Sequence, residues 1–182
     1  MTKINRVNRV EFMIRGMSYG SYVLSGLNLG LGYAEVLTKT IPADKFAHFP
    51  AKDVVCPAFY LAHLAIYPHR ALAMLGRPDL VVPNPAGWDD RFKAGVEAKP
   101  EHAYPSKDEV MAHFDAGYRA VAKAPEIAPD SVFAEENPAE GRFKEMFPQK
   151  GGAITFLCIG HMQMHLGQVS TWRRVMGLGS AM

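Results

Sequence analysis

The chain lacks the features that mark several common protein classes. Only two of its 182 residues are cysteine, Cys56 and Cys158, so no disulfide framework is expected. Neither charge sign dominates: 20 Lys and Arg stand against 18 Asp and Glu, a formal net charge of +2. There is no run of basic residues and no basic stripe interleaved with aromatics, which argues against nucleic acid as a partner. The opening stretch Met1–Arg6 is polar, and Glu11 and Arg15 interrupt the apolar residues that follow. Nothing there reads as a secretory signal, and a reducing cytoplasm is the expected location.

A membrane-spanning run is missing too. Gly16 to Ala34 carries no charge and is long enough to cross a bilayer, yet it contains five Gly, three Ser, three Tyr and one Asn. That composition suits a buried helix and no membrane role. No internal repeat, low-complexity tract or strand-like alternation is evident.

What remains is ordinary globular material. Hydrophobic residues make up 48% and charged residues 21%, and the length suits a single domain over residues 1–182 with a core of its own. The apolar periodicity predicts four helices. The first runs from about Val10 to Thr40, ending before Pro42, and its glycines permit close helix contact. A second begins near Pro57 and ends at Gly76, with Pro78 beyond. The third starts at Ser106, where Ser106 and Glu109 form a capping-box pattern, and stops before Pro125. The last begins after Gly151-Gly152 and ends at Gly177-Leu178-Gly179. Two long connections, Arg77 to Pro105 and Pro125 to Gly152, leave room for short helices. Connections of that length often cover a site. The expected architecture is all-α, an antiparallel four-helix bundle with long crossover loops.

The most informative segment is Gly160-His161-Met162-Gln163-Met164-His165-Leu166-Gly167-Gln168. His161 and His165 are four apart and share one helix face, the spacing by which a helix offers two imidazoles to one metal ion. At about 100° per residue, Ile154, Leu157, His161, Met164, His165, Gln168, Trp172 and Val175 fall in one stripe that is expected to face the core. Gln163, Ser170 and Arg174 lie opposite. Two imidazoles in a core need partners. A shared metal ion would satisfy both, and so would buried waters or carbonyls.

On the second helix His63 lies among Phe59, Ile66, Tyr67, Arg70 and Met74, and it can complete a three-nitrogen face. Such a set leaves a coordination position open, as catalytic sites do. Pro68 removes the helical donor for the Leu64 carbonyl and is expected to kink the helix beyond His63. His69 is expected to point away, and His48, His102 and His113 to be solvated. Cys158 could approach the metal or serve as a small core residue.

His63, the H-x-x-x-H-x-G-Q string from His161 to Gln168, and Trp172-Arg173-Arg174-Val175-Met176-Gly177 together resemble the DinB-like (DinB/YfiT) superfamily, from about Met13 to Gly177. The resemblance implies a four-helix bundle, usually a homodimer, in which His63, His161 and His165 hold a divalent ion such as Zn, Ni, Fe or Mn. It also implies a small-molecule substrate. Characterised relatives include transferases that use a low-molecular-weight thiol such as bacillithiol and a mycothiol-dependent maleylpyruvate isomerase, while many members have no known reaction. Leu166 departs from the commonest pattern, which has arginine there.

The leading expectation is a metal-dependent enzyme, a thiol-dependent S-transferase or a related detoxifying or hydrolytic catalyst. A divalent ion among three neutral imidazoles keeps its full charge and strongly acidifies water or a thiol. No Asp or Glu shares the histidine stripe, so an acid–base group would come from Asp89, Asp90, Glu135, Glu136 or Tyr67. Gln168 and Tyr67 are the candidate contacts to the metal's surroundings or substrate. The alternatives are a non-catalytic metal- or ligand-binding bundle, and a dimeric helical module without metal. Gly160, Gly167 and Thr171 form a small-residue strip beside the histidines where another helix could approach.

Overall fold

Helix α1, Tyr19–Lys39, shows how the local chemistry sets each element. The computed structural model describes residues 18–181. Ser18 caps α1, its Oγ accepting the Ser21 N–H at 3.1 Å. Val23, Leu27, Leu31, Ala34 and Leu37 recur on the helical period and are buried. The expected part of this helix before Ser18 lies outside the described residues. Three of its glycines answer the expectation of close contact. A Cβ would run into the Pro125 carbonyl at Gly20, Ile159 at Gly26 and Met162 at Gly30.

The second expected helix is two helices. α2 is Pro57–Ala65 and α3 is Pro68–Met74. Pro68 has no N–H to continue the ladder, so the chain turns at Ile66 and Tyr67 and restarts with Pro68 in its first turn. The Leu64 carbonyl is not left bare: it accepts the Tyr118 hydroxyl at 3.2 Å and the Tyr67 N–H at 3.2 Å. α3 closes at Gly76 (φ 70°), with Gly76 N–H on Ala73 and Arg77 N–H on Leu72, the Schellman pattern.

Within the first long connection lie a 3₁₀ turn, Pro78–Leu80, and α4, Trp88–Phe92. α5 is Lys107–Ala122 and begins with the capping box, Ser106 N–H on Glu109 at 2.8 Å and Glu109 N–H on Ser106 at 3.3 Å. The second connection carries α6, Asp130–Ala134, and α7, Gly141–Met146. The last expected helix starts before its glycines, as α8, Lys150–Thr155, because Gly151 is needed where a Cβ would come within 2.8 Å of the Phe133 carbonyl. It passes through a π turn, Phe156–Gly160, into α9, His161–Val175. Gly177 (φ 73°) then ends it by a second Schellman pair, Gly177 N–H on Arg174 and Leu178 N–H on Arg173.

The chain is all-α. Among the described residues no strand forms, and only isolated bridges pair Ala51 with Val54 and Glu136 with Gln149. α1 packs on α5 and α9, α2 on α5 and α9, and α3 on α5. The α3–α5 contact is close enough that a Cβ on Gly117 would come within 2.9 Å of Pro68. One apolar core joins these helices, with Trp172, Tyr118, Phe114, Phe92 and Phe46 among its largest members. No helix of the described residues is long and apolar enough to cross a membrane.

Candidate metal centre

His63 on α2 and His161 and His165 on α9 converge, and their ligand atoms all lie within 4.8 Å of one another. The Nε2 atom of His161 stands 2.9 Å from that of His63 and 3.1 Å from that of His165. Metal–nitrogen bonds of about 2.0–2.1 Å, at angles between about 90° and 109°, space ligand nitrogens by about 2.9–3.4 Å, a range that holds the two spacings to His161, while the three atoms as a set are held only within 4.8 Å. The three rings stand nearly perpendicular to one another, at 75° to 76°, so their nitrogens gather around His161 Nε2 without the rings stacking.

Each ring is backed by an aromatic neighbour. Phe59 stacks on His63, Phe156 on His161 and Tyr60 on His165. Two of the three also have their far nitrogen engaged. His63 Nδ1 lies 2.5 Å from the Phe92 carbonyl, an oxygen that can only accept, so the proton sits on Nδ1 and the lone pair on Nε2. His165 Nδ1 lies 2.5 Å from Gln168 Oε1, with the same consequence. His161 differs, because its Nδ1 is buried without a hydrogen-bond partner.

These tautomers leave the centre short of protons. Two lone pairs, on His63 and His165, face the single Nε2 of His161, and one proton there can serve only one of them. Protonation is a poor remedy. Burial pushes His161 down to about 3, with the neighbouring His165 and His63 adding to the effect. Burial likewise takes His165 down to about 4 and lowers His63. All three are therefore neutral near pH 7, the state a metal ion requires of its imidazoles. A buried three-histidine cluster of this kind could hold a metal.

The orientation of α9 differs from the stripe expected from its periodicity. The buried face is Met162, Leu166, Val169 and Arg173, while Met164 and Val175 are about half exposed, at 52% and 51%. Ser170, expected outside, is buried. The core face is thus rotated by about a quarter turn at about 100° per residue. The π turn just before His161 widens one turn of the helix and moves the phase, and polarity alone placed Met inside and Ser outside. The histidines consequently sit at the border of the core, His161 at 7% exposure and His165 half-buried.

Beyond that border opens a cleft of about 530 Å³, lined by His63, His161, His165, Phe59, Phe143, Phe156 and Met164. Lys93, Ala94, Gly95 and Val96 close one side, so the long connections do supply its walls. Tyr67 lines it too: its ring lies edge-on to His63 at 5.1 Å, and its hydroxyl accepts the Ala94 N–H at 2.9 Å. The helix break before Pro68 sets this ring beside the triad.

The four carboxylates weighed as acid–base groups are elsewhere. Asp89 accepts from Asn84, Asp90 pairs with Lys93, Glu135 with Lys150 and Glu136 with Lys144. Among the described residues no Asp or Glu lines the cleft. Cys158 is fully buried in the core and its thiol is pushed up to about 12 by burial; it is not among the clustered ligand atoms. His69, His48, His102 and His113 are not either. His113, expected to be solvated, is half-buried against Trp88 and bonded to Asn84 at 3.0 Å. Gly160, Gly167 and Thr171 are exposed. The Phe92 carbonyl and the ring of Tyr60 were not foreseen. A backbone acceptor has no residue-type signature, whereas Tyr60 and Phe156 carried only the general signal of aromatics near histidines.

No family model, curated protein or solved structure matches the chain.

Proposed function

We propose that the protein is a metal-dependent enzyme acting on a small molecule, with His63, His161 and His165 as the ligands of one divalent ion. The observation that carries this reading is the convergence of three neutral Nε2 atoms, two of them fixed as acceptors, with no proton able to satisfy both contacts. A cation resolves that arrangement where hydrogen bonds do not. Three protein ligands leave room for a further ligand, and the triad faces a cleft rather than the closed core. That favours catalysis over a purely structural ion.

When bound, the ion would acidify a thiol or water in the cleft, which fits a thiol-dependent transferase or a hydrolase of the DinB-like kind. The residues of the chain would do the remaining work. Phe92 and Gln168 orient His63 and His165, the aromatic walls exclude water, and the Tyr67 hydroxyl, held through its oxygen by Ala94, keeps its proton available to the cleft.

The lack of a cleft carboxylate favours a second reading, a metal-binding bundle without turnover. Elemental analysis of untagged protein purified without added metal is the first test, and about one equivalent of Zn, Ni, Fe or Mn per chain is expected. Protein that neither retains nor takes up any of these ions would sink both readings. Retained metal without metal-dependent turnover on a panel of thiols and electrophiles would leave the second.

A further inference from the structure

The cleft beside the histidines is unevenly furnished. Phe59, Val96, Phe143, Phe156 and Met164 make its walls apolar, and no acid lines it among the described residues. Its charged side chains are Arg70 and Lys93. Lys93 is already engaged, its ammonium 3.0 Å from Asp90. The Arg70 guanidinium makes no hydrogen bond or ion pair among the described residues; it lies over the Tyr67 ring, 4.9 Å from the centroid.

Tyr67 therefore joins two parts of one surface. One side of its ring carries Arg70, and its edge meets His63 at 5.1 Å and His161 at 5.4 Å. The cation–π contact limits the freedom of the guanidinium, while its N–H fork remains available to an anion. A planar fork of this kind matches a carboxylate by two parallel hydrogen bonds. The electrostatics agree, since no carboxylate lines the cleft among the described residues and Arg70 has no acidic partner there, which leaves nothing to repel a negative ligand.

We infer that the substrate or cosubstrate is a small carboxylate with an apolar body, its carboxylate held by Arg70 and its reactive end directed to the three histidines. This inference rests on the metal-centre reading for the reactive end, while the Arg70 contact stands apart from it. Arg70 is a binding residue here, and the apolar body lies along the phenylalanine wall.

The test uses 4-mercaptophenylacetate and its methyl ester, two thiols that differ in one charge. Their affinities are measured by calorimetry on metal-free and on cobalt-loaded protein, and cobalt content is followed by its visible absorption. The acid is expected to bind at least tenfold more tightly than the ester in both forms. Arg70→Gln should bring the two within about twofold without changing cobalt content, and Arg70→Lys should fall between. An equal affinity for acid and ester, or a preference that survives in Arg70→Gln, overturns the inference even if cobalt binds normally. Failure to bind cobalt and each of Zn, Ni, Fe and Mn, with the Arg70-dependent preference intact, instead removes the metal reading and leaves the anion site.

Discussion

Helix α9 carries two buried polar features about three turns apart, Arg173 and the histidine pair, and the protein treats them differently. Arg173 is 3% exposed and faces no carboxylate among its hydrogen-bond partners. Its guanidinium donates to the Leu37 carbonyl at 2.8 Å, to Thr40 at 2.9 Å and to the Leu178 carbonyl at 3.3 Å. Two of those oxygens close the C-terminal end of α1, where a cation is also favoured by the helix dipole. Only its Nε is without a partner. At the histidines, nitrogens face nitrogens. A buried group whose purpose is structural is answered by the chain itself. Where the chain brings acceptors together and supplies nothing between them, a group from outside could complete the set.

That contrast can be broken most directly at its functional end. His161→Ala should abolish metal retention, reducing about one equivalent to none by elemental analysis. It should also remove the stabilisation that metal gives the unchanged protein, about 4 kcal/mol at a thousandfold excess over Kd. A variant that keeps its metal would show that the ligand set is misassigned.

Acid is the next lever, on the metal-free protein. The histidine pKa values lie below the ordinary 6.5 in the folded chain, at about 4 for His165 and about 3 for His161. Above pH 6.5 both states are neutral and nothing is lost. As pH falls from about 6.5 towards 4, the unfolded chain takes up protons that the folded chain refuses, so stability drops across that window. Urea titrations at pH 7, 6, 5 and 4 should show the fall. In His161→Ala it should be smaller, and an identical slope would mean that this histidine does not contribute.

The structural end should respond in the opposite sense. Arg173→Ala leaves buried oxygens without donors and should cost about 2–3 kcal/mol by denaturant unfolding, while the folded variant still binds one metal ion. Loss of metal in proportion to stability would mean that the two regions are not independent. The smallest expected effect belongs to Gln168→Ala, which frees His165 Nδ1. Metal affinity should weaken about tenfold with almost no change in unfolding, because Gln168 is exposed. An unchanged affinity would reduce the Gln168 contact to a surface hydrogen bond.

Much of this was legible beforehand, and the reasons are local. The capping pair Ser106 and Glu109 announces a helix start wherever it stands, and Gly76 and Gly177 announce helix ends because their positive φ suits glycine. The i, i+4 spacing of His161 and His165 needs only helical geometry to put both on one side. The break at Pro68 was visible as a kink, but its depth was not, since the Tyr118 hydroxyl that accommodates the Leu64 carbonyl comes from a helix 54 residues on. The phase of α9 was misread because a π turn leaves no plain mark in composition. Arg70 appeared only as one more residue of the His63 stripe, and its position over Tyr67 depends on that same break.

The sequence by itself determined the helical character of the chain, the caps and stops of its elements, and the pairing of two histidines on one helix face. These follow from backbone geometry and from contacts within a few residues. Only the tertiary structure decided that His63 meets His161 of that pair at 2.9 Å, that the Phe92 carbonyl sets its tautomer, and that the cleft is apolar with an arginine at its rim. Those contacts join residues 98 and 29 positions apart, and packing across such separations is set by how whole helices fit together, which no local pattern records.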